Sequence, residues 1–244
     1  MESSVESSQA QLAARMLEAL EIDSAEDFFA AKELLELAVA AMPIDGRLPT
    51  DAPALAGFRL AQAMLFQLRG ARPGLGDDGV LWRGRPSFLT PERFAALERE
   101  FATGQARAVH DRWGQHLAKG GPVVEALLHD PELVELVSTH VGPLSPQRQA
   151  SCIYYDSEGA HIRPHIDTDR FCINANLLVS HEGERRSSLV VYPLAGEPRL
   201  IALEPGELVL FHADCVVHAR TPLGPEERVW ALSLGYQPEG EFHR

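Results

Sequence analysis

The spacing of hydrophobic residues divides the chain into two parts with different periodicities. From Gln9 to about Val141 the apolar residues recur at intervals of three and four, which predicts amphipathic helices. After Pro146 they fall into short β-rich runs separated by turn residues, which predicts strands. The first part is therefore expected to be mostly helical, and the second to consist mainly of β-structure.

Capping residues and prolines predict where the helices of the first part begin and end. Ser24 begins a helix that ends at Pro43, a second helix runs from Pro53 to Arg69, and Thr90 caps a third. Further helices are predicted over 105–118, 122–128 and 131–140.

The second part contains several short strands in close succession. The predicted strands are QASCIYY, RFCINANLLVS, SSLVVYPL, RLIALE, ELVLF and RVWALSLGY. The connections between them are too short to hold a helix, so neighbouring strands should be antiparallel. This pattern predicts an α+β protein with a double-sheet jelly roll, buttressed on one face by the N-terminal helices. We expect a single domain, with 1–147 as helical support and 148–237 as the jelly roll.

The composition is that of an ordinary globular protein with an acidic balance. The net charge of −13 at pH 7 disfavours a nucleic acid or an anionic membrane as partner, because both are negative. No apolar run approaches the ~20 residues needed to cross a bilayer, and the N-terminus does not resemble a secretion signal. Cys152, Cys172 and Cys215 lack a C-x-x-C spacing and are expected to be buried. These features favour a cytoplasmic protein with a small-molecule partner.

The segment RPHIDTDRF, residues 163–171, places a histidine and an aspartate two positions apart. Residues i and i+2 of a strand face the same side, so the imidazole of His165 and the carboxylate of Asp167 should converge. Such a pair is weak evidence for a metal site unless a third ligand joins it. His212 and His218, which follow the run GELVLF, are the candidates for that ligand.

His218 is the better candidate because Arg228 lies ten residues beyond it, on what should be the next strand. Two imidazoles and one carboxylate occupy one face of an octahedral ion, suit Fe(II), and leave positions open for a bidentate ligand and O2. A guanidinium facing them would bind a distal carboxylate in fork geometry. The set predicts a pocket for a short dicarboxylate, and this interpretation requires Arg228 to face that pocket.

With these residues in place, 148–237 resembles the core of the Fe(II)- and 2-oxoglutarate-dependent oxygenase superfamily. The family pattern of H-x-D, a distal histidine and an arginine about ten residues later matches His165, Asp167, His218 and Arg228. The stretch YYDSEGAHIRPHIDT is also similar to the Y-x-x-G segment of prolyl-hydroxylase-like members, with one extra residue between Tyr155 and Gly159. PGELVLFHADCVVHARTPLGPEERVWALSLGY resembles the closing strands of the family.

The resemblance implies a double-stranded β-helix core and an oxygenase that uses Fe(II), 2-oxoglutarate and O2 to hydroxylate a C–H bond. It implies metal ligation by the three matched ligands and binding of the 2-oxoglutarate 5-carboxylate by Arg228. Some members carry a serine two residues after the arginine, where this chain has Trp230. A tyrosine hydroxyl is expected to replace that serine, and Tyr155 is favoured over Tyr154.

Several other polar residues are candidates for the pocket. Asn174 and Asn176 lie within an apolar run, where their amides could bind the cosubstrate, the metal-ligand carboxylate or the backbone of a neighbouring strand. His161 is a candidate substrate contact. One of four arginines near the presumed mouth could bind a substrate carboxylate, namely Arg148, Arg163, Arg170 or Arg220.

The sequence leaves several functional alternatives open. A small metabolite, such as an amino acid or a natural-product intermediate, is the favoured substrate, with a peptide or protein as the alternative. A cupin-like metalloenzyme that does not use 2-oxoglutarate, or a non-catalytic ligand sensor, would also suit the fold. The oligomeric state and the site of attack on the substrate are not indicated.

Overall fold

The computed structural model describes residues 2–22, 24–69, 79–111, 114–147, 150–167 and 172–238. The helices in these ranges are α1 (Glu2–Ala19), α2 (Ala25–Ala40), α3 (Ala52–Arg69), α4 (Pro91–Gly104), α5 (Pro122–Leu128) and α6 (Pro131–Val141). The strands are β1 (Val80–Gly84), β2 (Val109–His110), β3 (Gln115–Lys119), β4 (Leu144–Pro146), β5 (Ser151–Tyr155), β6 (Ile162–His165), β7 (Ile173–Glu182), β8 (Leu189–Tyr192), β9 (Arg199–Ile201), β10 (Leu208–His212), β11 (Val217–Arg220) and β12 (Arg228–Pro238). None of the helices in this part of the chain combines the length and apolar character needed to cross a bilayer.

The strands form two sheets in which every pairing is antiparallel. The larger sheet has the order β1-β10-β7-β12-β5-β3-β2, with β4 added beside β12. The smaller sheet has the order β6-β11-β8-β9. The prediction of an α+β protein with antiparallel strands is therefore confirmed.

Alternate residues of the larger sheet pack into two separate hydrophobic layers. Leu208 and Leu210 of β10 face α4, α5 and α6, whereas Val209 and Phe211 face the smaller sheet. This is the two-residue alternation expected of a strand that is buried on both sides. The three cysteines are buried and unbridged, as predicted.

The smaller sheet is also covered on both sides. Val217 and Ala219 of β11 pack against Val39 of α2 and Phe58 of α3, whereas Val191 of β8 faces the larger sheet. Helices therefore cover the outer faces of both sheets, where the sequence predicts a buttress on one face only. The space between the sheets is left to the side chains that point inward.

Capping residues set two helix boundaries as predicted. The Ser24 hydroxyl accepts a hydrogen bond from the Asp27 N–H at 3.1 Å, and the Asp27 carboxylate binds the Ser24 N–H in return. Thr90 accepts from the Arg93 N–H at 3.4 Å at the start of α4. These bonds satisfy N–H groups that have no partner within the helix.

The helix predicted over 105–118 is wrong. A 3₁₀ turn at Gln105–Arg107 is followed there by β2 and β3. Gly114 adopts a φ of +79°, in the left-handed region that is absent from helix interiors, and β3 pairs with β5 along its whole length. The pairing partner lies far along the chain, and local spacing does not reveal it. β1, which pairs with β10, also lies in the part predicted to be helical.

A carboxylate from another helix caps the start of α5. The residue before α5 is Gly121, which has no side chain to accept a hydrogen bond. The carboxylate of Glu100, in α4, accepts from the N–H groups of Gly121, Val123 and Val124 at 3.0, 2.8 and 3.0 Å. This contact joins α4 to α5 and places a negative charge at a helix N-terminus.

Replacing Glu100 by alanine should lower the free energy of unfolding by about 2 kcal/mol, because the N–H groups at the start of α5 lose their acceptor. Urea denaturation followed by circular dichroism measures the change. Glu98→Ala, an exposed position on the same helix, is the control and should change stability by less than about 0.5 kcal/mol. Equal effects of the two substitutions would contradict a capping role.

Candidate metal centre

The three predicted ligands lie together at one end of the smaller sheet. β6 and β11 pair with His165 directly opposite His218, and their ring centroids are 4.3 Å apart. Asp167 follows β6, and its backbone N–H donates to the Ala213 carbonyl at 2.7 Å. One ligand atom from each of the three side chains lies within 4.8 Å of the other two. We refer to His165, Asp167 and His218 as the triad.

Backbone carbonyls set the orientation of both imidazoles. Nδ1 of His165 lies 2.7 Å from the Arg163 carbonyl, and Nδ1 of His218 lies 3.0 Å from the Val216 carbonyl. A carbonyl can only accept, so each Nδ1 carries the proton and each Nε2 presents a lone pair. The two Nε2 atoms are 3.7 and 3.6 Å from Oδ1 of Asp167. Two nitrogens and one oxygen thus face a common point.

An asparagine orients the carboxylate of the triad. Asn174 Nδ2 donates to Oδ2 of Asp167 at 2.9 Å, and Ser233 Oγ donates to Asn174 Oδ1 at 3.2 Å. This leaves Oδ1 directed at the imidazoles. Burial alone would raise the pKa of Asp167, but His218 and His165, in their protonated forms, hold that pKa well below its usual range. Of the three roles that the sequence left open for Asn174, the structure shows contact with the carboxylate.

His212, the alternative third ligand, is not part of the triad. The ring of Phe211 packs edge-on against His218 at 4.8 Å, so Phe211 faces the triad. Alternation along β10 turns the next residue, His212, to the opposite side of the strand. His212 is buried there, at the start of the turn that leads into β11.

Arg228 does not face the triad, so this prediction is wrong. Arg228 is exposed at the start of β12, and Val229 after it is fully buried between the two sheets. Alternation therefore places Arg228 on the side of Trp230, whose ring stacks on Phe101 at 6.2 Å in the layer beneath α4. β12 also belongs to the larger sheet, so it is not the neighbour of β11.

A different arginine, Arg220, points between the sheets. It follows His218 by two residues on β11, faces the same side, and is only 6% exposed. Its guanidinium carbon lies 5.2 Å from the ring centroid of Tyr155, and its Nη1 donates to Ser187 Oγ at 3.1 Å. Burial lowers the pKa of Arg220, and Tyr155 and Glu227 oppose that shift. The sequence analysis identified Arg220 only as one of four arginines that could bind a substrate carboxylate near the mouth of the pocket.

A buried carboxylate supports Arg220 through a shared hydroxyl. Glu227, 1% exposed, accepts from the Ser187 hydroxyl at 2.8 Å, from the N–H groups of Ser187 and Gly224, and lies 2.6 Å from His181 Nε2. Burial opposes ionisation, but these hydrogen bonds outweigh it and lower the pKa of Glu227 to about 2. Arg220, Ser187 and Glu227 thus form a buried chain of cation, hydroxyl and anion. The sequence did not indicate a role for Ser187 or Glu227.

Only one of the two candidate tyrosines points between the sheets. Tyr155 packs in the layer that also holds Val229, whereas Tyr154 turns toward α4 and donates to the Phe101 carbonyl at 3.0 Å. Burial raises the pKa of Tyr155 to about 12, although Arg220 opposes the shift. The Tyr155 hydroxyl is therefore a protonated donor at neutral pH.

A β-bulge turns one predicted substrate contact away from the triad. β11 pairs with β6 through His218 and His165, and then through Arg220 and Ile162, with one extra residue in β6 between these pairs. The extra residue reverses the alternation, so Arg163 is exposed and donates to a backbone carbonyl of α2. The prediction that Arg163 contacts substrate is not supported.

The remaining candidates lie on β7, in the turn before β6, or outside the described residues. Asn176 is half-buried and two residues beyond Asn174 on the same strand face. His161 lies in the turn before β6, with Nδ1 2.8 Å from the Gly159 carbonyl. Arg148 and Arg170 lie outside the described residues.

Gln115 is a buried residue that the sequence reasoning missed. It pairs with Tyr155 across β3 and β5 and is 3% exposed. Its Nε2 donates to Asp111 Oδ2 at 2.8 Å, and its Oε1 has no hydrogen-bond partner among the described residues. The segment was predicted to be a helix, so no strand alternation was available to place Gln115 beside Tyr155.

Solved structures with the same fold have low sequence identity to this chain. The non-heme α-ketoglutarate-dependent epimerase SnoN from nogalamycin biosynthesis is 16% identical over 66% of this chain and 77% of its own, with a TM-score of 0.56. A Pseudomonas putida prolyl-4-hydroxylase is 20% identical over 68% and 96%, with a TM-score of 0.54. HygX from Streptomyces hygroscopicus, with nickel, 2-oxoglutarate and hygromycin B bound, is 13% identical over 68% and 86%, with a TM-score of 0.53.

No protein-family model and no curated protein matches the chain. The structural comparisons show that the chain shares the jelly-roll fold of these three proteins, as the sequence resemblance implies.

Asn174→Ala should weaken the binding of a divalent ion about tenfold, because Asp167 then loses the hydrogen bond that holds its carboxylate in place. Anaerobic titration with Co(II), followed by its visible absorption, measures the affinity. Asn176→Ala leaves the bond between Asn174 and Asp167 intact and is the matched control. An unchanged affinity in Asn174→Ala would show that the bond does not support metal binding.

Proposed function

We propose that the protein is a non-haem Fe(II)- and 2-oxoglutarate-dependent dioxygenase that hydroxylates a C–H bond of a small molecule. The observation that carries the proposal is the convergence of two Nε2 lone pairs and one carboxylate oxygen, with a buried guanidinium on the same strand as His218. We propose further that the chain acts as one oxygenase domain, in which the N-terminal helices support the jelly roll.

The donor set fits the proposed ion. Two neutral imidazoles and one carboxylate on one face are the ligands that Fe(II) oxygenases use, and they leave other positions free. Bound Fe(II) would supply the activation of O2, with 2-oxoglutarate as the reductant. Side chains of His165 and Asp167 are 20% and 16% exposed, so a substrate can approach the triad from solvent.

Arg220 is the proposed anchor for the 5-carboxylate of 2-oxoglutarate. Residues two apart on a strand are separated by about 6.6 Å, which is close to the length of a five-carbon dicarboxylate. His218 and Arg220 have this spacing, so one molecule can reach from the triad to the guanidinium. The guanidinium has five N–H donors, and its bond to Ser187 and its contact with the Tyr155 ring leave donors for a carboxylate. Tyr155 would donate a further hydrogen bond to the same carboxylate.

Ser187 and Glu227 are proposed to position Arg220. A long guanidinium side chain has many rotamers, and the fixed hydroxyl of Ser187 selects one of them. The negative charge of Glu227 offsets part of the cost of burying the cation. Arg220 is thus proposed for the carboxylate-binding role that the sequence analysis assigned to Arg228.

The substrate is proposed to be a small molecule, such as an amino acid or a natural-product intermediate. SnoN was solved with nogalamycin RO, and HygX with hygromycin B, and both have the same fold as this chain. A peptide or protein is the alternative substrate, because a prolyl-4-hydroxylase also has the same fold as this chain.

A cupin-like metalloenzyme without 2-oxoglutarate is the main rival, and a ligand sensor is the second. Purified protein incubated with Fe(II), 2-oxoglutarate and O2 should release succinate above the rate of a His218→Ala control. Metal binding without succinate would favour the cupin-like enzyme. Formation of the 2-oxoglutarate complex without turnover on a broad substrate panel would favour the sensor.

Arg220→Ala should weaken 2-oxoglutarate binding about thirtyfold or more, because a carboxylate loses a buried charged partner. The charge-transfer absorbance of the anaerobic Fe(II) complex, titrated with 2-oxoglutarate, measures the affinity. Arg228→Ala is the matched control and should stay within about twofold, because this side chain is exposed. The reverse order of effects would contradict the assignment of Arg220.

Ser187→Ala should weaken 2-oxoglutarate binding about fivefold while leaving metal affinity unchanged, because only the orientation of Arg220 is lost. The same titration, with Ser188→Ala as the control, measures the effect. A loss of metal affinity in Ser187→Ala would indicate a general structural defect, and this would contradict a specific positioning role.

A further inference from the structure

The larger sheet extends beyond the area that the smaller sheet covers. Its last strands, β5, β3 and β2, carry a set of inward-pointing residues in cross-strand register: Val109 opposite Leu117, Leu117 opposite Ile153, and Lys119 opposite Ser151. We refer to Val109, Leu117, Lys119, Ser151 and Ile153 as the open face.

The open face is continuous with the surroundings of the triad. Ser151 of β5 pairs with Ser233 of β12, whose hydroxyl donates to Asn174, the residue that orients Asp167. Neighbouring strands are about 4.8 Å apart, so β3 lies about 14 Å across the sheet from β7, the strand that carries Asn174. A molecule of moderate size on the open face can therefore reach the triad.

The apolar side chains of the open face are exposed, whereas the neighbouring cross-strand pair, Tyr155 and Gln115, is buried. Tyr155 and Gln115 are each 3% exposed, but Leu117 is 36% and Val109 71% exposed. The exposed region thus begins beside the pair of Tyr155 and Gln115 and extends along β5 toward Ser151, which pairs with Ser233. Apolar residues exposed side by side in a concave region are typical of a ligand surface.

The charge of this region differs from that of the rest of the protein. A cavity of about 620 Å³ is lined by Val109, Leu117, Lys119 and Ser151 of the open face, and also by Arg107, Ala118 and the backbone of Gly120 and Gly121. Lys119 and Arg107 are both positive in a chain of net charge −13, and Lys119 is one of only two lysines. The nearby carboxylate of Glu100 is directed at the start of α5. The cavity therefore suits a ligand with a negative group.

A second cavity of the same size provides a contrast. It is about 620 Å³ in volume, lies on the helix-covered side of the larger sheet, and is lined by Trp82, Phe88 and Leu136. Its wall includes the carboxylates of Glu132 and Glu135 as well as one arginine. An apolar molecule suits either cavity, but an anionic one should prefer the open face.

We propose that the open face binds the substrate of the oxygenase, and that this substrate is an amphipathic anion. Its apolar body packs on Val109 and Leu117, its anionic group pairs with Lys119 and Arg107, and its opposite end reaches the triad. The inference rests on the proposed function, since it assigns a substrate class to the same site.

Two naphthalene probes that differ by one sulfonate group test the inference. 8-Anilinonaphthalene-1-sulfonate should bind with 1:1 stoichiometry, measured by its fluorescence. Lys119→Gln should weaken it about fivefold and leave uncharged N-phenyl-1-naphthylamine unaffected, whereas Val109→Asp should weaken both probes. Leu136→Gln, in the second cavity, is the control and should change neither. A sulfonate probe that does not bind, or that responds only to Leu136→Gln, would overturn the proposal.

Proximity to the triad is tested with the same probe. Mn(II) bound at the triad should broaden the proton resonances of the bound sulfonate probe, and Asp167→Ala should remove the broadening. Mn(II) binding without broadening would overturn the substrate assignment and leave the proposed function intact. Failure of the protein to bind Mn(II) and 2-oxoglutarate at all would instead overturn the proposed function, and the fluorescence titrations report on the open face independently of that result.

Discussion

The antiparallel pairing of β6 with β11 is the constraint on which the candidate site depends. It places His165 opposite His218, and carbonyls of the same two segments set which nitrogen of each ring faces inward. Asp167 is then held by a backbone bond to Ala213 and by the amide of Asn174. Because these restraints are part of the sheet and its turns, the three ligand atoms are oriented before any ion binds.

The proposed binding of 2-oxoglutarate also requires a buried positive charge that is held in one place. An arginine between two sheets is costly unless charged and polar groups surround it, and Glu227 and Ser187 meet that need for Arg220. The same groups limit its rotamers, so the guanidinium is held in one orientation, in which we propose that it binds a carboxylate. His218 and Arg220 are on one short strand, and their spacing therefore does not depend on how the two sheets move relative to each other.

The two-residue alternation of the strands predicted the antiparallel β-structure. The triad was predicted from the H-x-D spacing and the family pattern, although Asp167 lies just beyond β6 and is placed by its backbone bond to Ala213. The sequence did not predict which arginine points inward. The loop before β12 sets which face of the sheet Arg228 occupies, and the bulge in β6 does the same for Arg163. A shift of one residue would turn either side chain to the opposite face. Gln115 was missed because its strand depends on pairing with a distant segment, which local spacing does not reveal.

A crystal structure with Mn(II) and 2-oxoglutarate, examined by anomalous scattering, tests the central claim most directly. We expect one anomalous peak bonded to Nε2 of His165, Oδ1 of Asp167 and Nε2 of His218, with the 5-carboxylate of 2-oxoglutarate on the Arg220 guanidinium. The absence of a peak at the triad, or a carboxylate bound away from Arg220, would contradict the assignment.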